Sequence, residues 1–116
     1  MIFGVDISAE ANWTVVRARG EVDLATSPRL RSVLVDAVGV GPRDLVIDLS
    51  SVDLIDSTGL GVLVGALRRA RQSGSRLVLS GLHGQVKDLF ALTGLEANFD
   101  LAGTVADAVA VEAGTT

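Results

Sequence analysis

Cysteine is missing from all 116 residues. Its absence removes disulfides, thiol nucleophiles and zinc–thiolate sites together. Histidine occurs once, at His83, so a serine–histidine pair would have to use that residue. Aromatic rings are few. Three phenylalanines and one tryptophan, scattered along the chain, give no platform for stacking bases. Cations are also short: ten Lys and Arg face fourteen Asp and Glu, for a net charge of −4. A general nucleic-acid binder wants a basic face for phosphates, so no direct nucleic-acid partner is expected. Long apolar runs are lacking as well. The longest, Leu60 to Leu67, is far below the ~20 residues that span a bilayer, and the first residues carry no basic, apolar-cored leader. These absences predict a soluble, cytoplasmic domain with no membrane insertion.

What is present is apolar: 48% of the residues, too many for a disordered tail. A chain of this length suggests one domain, residues 1–116, with 114–116 frayed. Folding at this size buries roughly two thirds of the chain's surface, enough for a core without staples.

The elements read in order. Phe3 to Ser8 and Trp13 to Ala18 suggest a hairpin around a turn at 9–12, with the second strand ending at Gly20. A loop at 20–26 leads into a helix that Thr26 or Ser27 can cap. Pro28 suits its first turn, Leu30, Val33, Leu34 and Ala37 recur at helical spacing, and residues 39–42 stop it. Arg43 or Asp44 opens a strand that runs to about Leu49, with Leu45-Val46-Ile47 buried on both faces. Arg76 to Ser80 reads as another buried strand after a break at 73–75. Val86, Leu89, Phe90 and Leu92 mark a helix over 85–92, ended by Thr93-Gly94. Residues 98–101 suggest a last short strand. Thr104 can cap a final helix carrying Val105, Ala108, Val109 and Glu112. The order β-β-α-β-α-β-α-β-α implies an α/β fold: a mixed, mostly parallel sheet of four to five strands, an N-terminal hairpin and about four helices.

One stretch organises the rest. Leu60, Leu63, Val64 and Leu67 predict a central helix from Ser57 to about Gln72. It is entered through Asp56-Ser57-Thr58-Gly59. Two hydroxyls therefore stand at a helix N-terminus, where outward N–H groups favour negative charge. That is a good mount for a reversible phosphate. Ser, Thr and Asp are also the preferred N-caps, and the two readings are compatible. Gly61 and Gly65, four apart, suggest close approach to a sheet or a partner. Arg68, Arg69 and Arg71 form either an anion patch or the cations that suit a helix C-terminus. The loops at 20–26, 50–59 and 81–84 should gather on one rim, where binding sites of such sheets lie. Asp23 would then approach Ser57.

Catalytic constellations are incomplete. The residue two before Ser57 is Ile55, not the glycine of a nucleophile elbow. Asp56-Ser57-Thr58-Gly59 has one residue too many for an aspartic-protease signature. Neither a P-loop nor G-x-G-x-x-G is present, which also counts against a nucleotide or other small ligand at the rim. Asp48, Asp53 and Asp56 are explained by a strand end and a polar loop without Mg²⁺. No enzyme activity, cofactor or metal is expected.

Gly20-Glu21-Val22-Asp23, Val46-Ile47-Asp48-Leu49-Ser50 and Ile55-Asp56-Ser57-Thr58-Gly59-Leu60-Gly61 together resemble a STAS domain, and more narrowly the bacterial anti-sigma factor antagonists. Val86-Lys87-Asp88-Leu89-Phe90 and Thr93-Gly94-Leu95 extend the likeness over nearly the whole chain. The resemblance implies a partner-switching regulator of transcription. Unphosphorylated, it would bind an anti-sigma factor that is also a serine kinase, releasing the sigma factor. Phosphorylation would separate the pair, and a serine phosphatase would reset it. The acceptor carried over is Ser57, with Thr58 as a second hydroxyl. The partner surface carried over is Asp23, Leu24, Asp56, Ser57, Thr58, Gly59, Leu60 and Gly61, on a monomer or weak dimer. The same resemblance also admits a non-phosphorylated STAS subunit of a transport ATPase complex or signalling assembly.

Overall fold

Among the described residues five stretches form strands, in sheet order β1-β2-β3-β4-β5. The computed structural model describes residues 3–39 and 43–114, with side chains to Ala110. The strands are β1 (Gly4–Glu10), β2 (Trp13–Val22), β3 (Asp44–Ile55), β4 (Leu77–Ser80) and β5 (Asp100–Ala102). The helices are α1 (Ser27–Gly39), α2 (Ser57–Gln72), α3 (Gly84–Thr93) and α4 (Val105–Gly114), with a single 3₁₀ turn, η1 (Leu95–Asn98), before β5. β1 and β2 pair antiparallel, and every later pair is parallel. The expected hairpin, element order and mixed sheet are all present.

The crossovers advance one strand at a time in one direction, so right-handedness puts α1, α2 and α3 on the same face. Leu30 and Leu34 of α1, Leu63 and Ala66 of α2, and Val86 and Phe90 of α3 share one buried cluster with the sheet. Phe90 and Phe99 meet edge to face there, centroids 5.7 Å apart. The other face has a small core under α4, where Trp13, Val15, Val46 and Val78 pack with Ala108. Thr104 caps α4 as its sequence suggests, accepting from the Asp107 N–H at 3.0 Å. Thr115, Thr116, residues 40–42 and the Glu112 side chain lie outside the described residues. Of the residues 114–116 expected to fray, Gly114 closes α4.

Four local expectations need correction. β3 does not stop near Leu49 but continues to Ile55, and β2 follows it past Gly20 to Val22. Leu49, Val52 and Ile55 are all buried, at a spacing of three rather than two. The cause is in the register. Between Arg17↔Asp48 and Arg19↔Ser51, and again between Gly20↔Val52 and Glu21↔Leu54, β3 carries one residue more than β2. Each such bulge shifts the inward phase by one residue. The predicted loop 50–59 therefore shrinks to Asp56, and the loop at 20–26 begins after Val22. The last strand starts at Asp100 rather than at 98, because residues 95–98 wind into η1. Gly61 and Gly65 do not pack on the sheet. Gly61 is exposed and a Cβ there would meet nothing within 4 Å, while at Gly65 it would meet only the Arg69 guanidinium. The small residues facing the sheet are Ala66 and Ala70.

β4 pairs with β3 only as far as Asp48↔Ser80. Beyond that point β2 and β3 run on as a two-stranded arm. Seven further residues of β3 at ~3.3 Å each reach roughly 20 Å, consistent with an elongated molecule of 40 × 25 × 23 Å.

Candidate functional site

Asp56 and Ser57 sit at the tip of this arm, where β3 hands over to α2. The Asp56 backbone is extended (φ −107°, ψ −173°) and its N–H donates to the Val22 carbonyl at 3.1 Å. The ends of both arm strands are thus tied to the start of α2. Asp56, not a hydroxyl, is the N-cap: its Oδ1 accepts from the Gly59 N–H at 3.0 Å. The Thr58 hydroxyl donates to the same oxygen. Bonding from the Thr58 hydroxyl, then from the Gly59 N–H, holds the Asp56 carboxyl below the usual carboxylate range against a smaller upward push from burial.

This separates the two candidate acceptors. Thr58 is half-buried and its hydroxyl is committed to Asp56. Ser57 is exposed, and its side chain makes no hydrogen bond within the described residues. It is the first residue of α2, whose first turn holds no acidic side chain.

The facing loop lies near the same carboxylate, and the Leu24 backbone N–H adds the smallest of the influences that lower its pKa. Asp23 itself builds the loop: its Oδ1 accepts from the Ala25 and Thr26 N–H groups, both at 3.0 Å. Thr26 precedes α1 as expected, but its hydroxyl turns back to donate to the Glu21 carbonyl at 2.7 Å. The Asp23 carboxylate thus shapes its own turn, and the hydrogen bond that ties Asp56 to this side is the one at the Val22 carbonyl. Leu24 projects its side chain, 74% exposed. Gly61 is exposed on α2 beyond Ser57, whereas Gly59 and Leu60 are buried beneath the surface. A Cβ on Gly59 would lie 2.6 Å from Ile55 Cγ1 and 2.8 Å from Val22 Cγ1, so glycine here lets α2 start tight against the arm.

Two residues escaped the sequence reading. Leu54, 40% exposed on the arm, adds a second apolar side chain near the tip. Its signal was hidden because bulged β3 breaks alternation. Gln85, in the first turn of α3, clamps Ile55 by both backbone groups. Its Oε1 accepts from the Ile55 N–H and its Nε2 donates to the Ile55 carbonyl, each at 2.9 Å. The side-chain amide thus replaces the strand partner that β3 lacks on this side. Replacing Gln85 with alanine should cost about 1–3 kcal/mol, the range for orphaning a partly buried backbone donor or acceptor. Gln85→Glu should also destabilise, since it keeps the acceptor but sets an oxygen against the Ile55 carbonyl. Urea midpoints, with hydrogen exchange of the Ile55 amide, test both.

Asp56 gives a pH signature. Its carboxyl is more acidic folded than unfolded, so its stabilising share is complete above the ordinary carboxylate value and is lost as pH falls through the lower folded value. The difference in urea midpoint between wild type and Asp56→Ala should be flat from neutral pH down to about 5. It should shrink only in the strongly acidic range.

Among the described residues no group of three or more His, Asp or Glu is placed to hold a metal ion. His83 precedes α3 and makes no side-chain cap bond. Within the same residues no helix is long and apolar enough to cross a membrane.

Comparison with known proteins agrees with this geometry. Residues 5–108 match the STAS domain family. An anti-sigma-B factor antagonist from Staphylococcus aureus is 33% identical over 96 residues, 83% of this chain and 89% of that protein. Its namesake from Staphylococcus epidermidis is 38% identical over the same shares. The crystal structure of an anti-sigma factor antagonist from Mycobacterium paratuberculosis superposes with a TM-score of 0.87 at 27% identity, covering 95% of this chain and 93% of that one. The chain belongs to the STAS domain family, within its anti-sigma factor antagonists.

Proposed function

We propose that this antagonist works as a phosphorylation-controlled partner switch. Unphosphorylated, it docks the arm tip on an anti-sigma factor serine kinase, and the sigma factor is released. The kinase then phosphorylates Ser57, the complex separates, and a serine phosphatase restores the binding form. No catalytic step is assigned to this chain.

The observation that carries the reading is the contrast between two adjacent hydroxyls. Ser57 is exposed and uncommitted at the first position of α2, while Thr58 is held by Asp56. A phosphoryl group on Ser57 would bring about −1.5 to −2 charge at pH 7. The N–H groups of the first helical turn accommodate that charge locally, so the fold need not move. Asp56 and Asp23 already make the tip acidic, so a docked partner must meet the added charge with cations of its own or desolvate it.

The test is to incubate the chain with its cognate anti-sigma kinase and ATP and map the product by mass spectrometry. A single phosphate on Ser57, absent in Ser57→Ala, is expected. Labelling confined to Thr58 overturns the assignment. A subunit that works without phosphorylation would leave Ser57 unlabelled.

A further inference from the structure

The arginines at the far end of α2 belong to a surface that the arm tip does not use. α2 has no acidic residue between Ser57 and Gln72, yet it ends in Arg68, Arg69 and Arg71. A helix C-terminus favours cations, but that alone does not account for the groove beside them. Arg68 and Arg71 rim a cleft of about 420 Å³ whose apolar lining is Val64, Leu67, Leu95 and Phe99. η1 forms its other wall, fastened by Arg71 Nη2 donating to the Asn98 carbonyl at 3.2 Å. A further hollow of about 180 Å³ continues it towards Arg76 and Asp100. Arg68 is exposed and forms no ion pair within the described residues. A chain of net charge −4 thus keeps a cationic rim around an apolar depression. Glu96 of η1 and Asp100, at the end of the smaller hollow, are the acids that share this region.

We propose that this groove docks an acidic peptide segment of a partner protein. A leucine- or phenylalanine-sized side chain would sit among Val64, Leu67, Leu95 and Phe99, with flanking Asp or Glu meeting Arg68 and Arg71. The occupant follows from shape and charge together. The depression is concave, so a flat bilayer surface would touch the rim and leave the floor empty. A nucleic-acid backbone would satisfy the arginines but not the apolar floor, and the chain's acidic excess opposes it. At a 1.5 Å rise, Arg68 and Arg71 stand about 16 and 21 Å along α2 from Ser57, so the arginine rim is separate from the tip.

The experiment is selection of a random peptide library on the immobilised full chain, with counter-selection on Arg68→Glu/Arg71→Glu. Retained peptides should carry a large apolar residue within two positions of Asp or Glu and bind wild type at least tenfold more tightly than the double variant. Titrated into the ¹⁵N-labelled chain, they should shift amides of residues 68–72 and 95–99. Because Arg71 also holds Asn98, Arg68→Glu alone serves as the second variant. It should weaken binding in the same direction with an unchanged unfolding midpoint. Retention of basic or uncharged peptides overturns the proposal, as does equal binding to the variants or shifts that map elsewhere. Tighter competition at the same amides by an oligonucleotide or an anionic vesicle overturns it too. So does a dimer of this chain that Arg68→Glu dissociates, since a second copy would then be the occupant.

Discussion

Ser57→Asp should weaken binding to the anti-sigma factor kinase about ten- to a hundredfold while the urea midpoint stays level or rises slightly. The two readouts separate because the substitution acts on two different neighbours. Toward the helix, a carboxylate at the first position of α2 lies against N–H groups that favour it. Toward a partner, it adds charge to a tip that already carries Asp56 and Asp23. Unfavourable charge across an interface costs up to several kcal/mol, and each ~1.4 kcal/mol is tenfold in affinity. Ser57→Ala should bind as wild type and resist phosphorylation. Isothermal titration with the kinase, run beside denaturation, measures both quantities. Equal affinity of the alanine, aspartate and wild-type chains would remove charge as the release mechanism.

Gly81→Ala should give the largest loss of stability, about 3 kcal/mol. Gly81 follows β4 with φ +76° and donates its N–H to the Ala102 carbonyl at 3.1 Å. A Cβ here would stand 2.7 Å from Ser50 Cβ, 2.9 Å from its Cα and 3.0 Å from its N. Those atoms belong to β3 and have no rotamer to escape into. The left-handed conformation contributes roughly 1–2 kcal/mol of the cost, and overpacking a further 1–3. With a urea dependence of about 1–3 kcal/mol per molar, the midpoint should fall by roughly 1–3 M. A shift below a few tenths of a molar would mean that the loop moves aside freely.

The element order and the helices were legible because buried runs such as Leu45-Val46-Ile47 and helical spacings such as Leu60-Leu63-Leu67 need only local rules. The tip residues were legible too, since small polar residues before an apolar helical pattern mark a start whatever surrounds it. The arm was not. Ser50, Ser51 and Asp53 read as loop because period-two alternation fails, and it fails because β3 carries two bulges that exist only relative to β2. Gln85 was invisible for a related reason. Its role depends on β3 outrunning β4, a fact about strand lengths rather than about residues near 85 in sequence. Which hydroxyl is committed and which is available likewise depended on the turn of Asp56, which composition could not give.

The overhang of β2 and β3 beyond β4 has a consequence for stoichiometry. A protein docked as proposed would meet the ends of β2 and β3 and the first turn of α2. The opposite end of α2 then stays open to a different ligand at the same moment. Under the two proposals, one partner at each end of α2 would be held at once, in a one-to-one-to-one assembly.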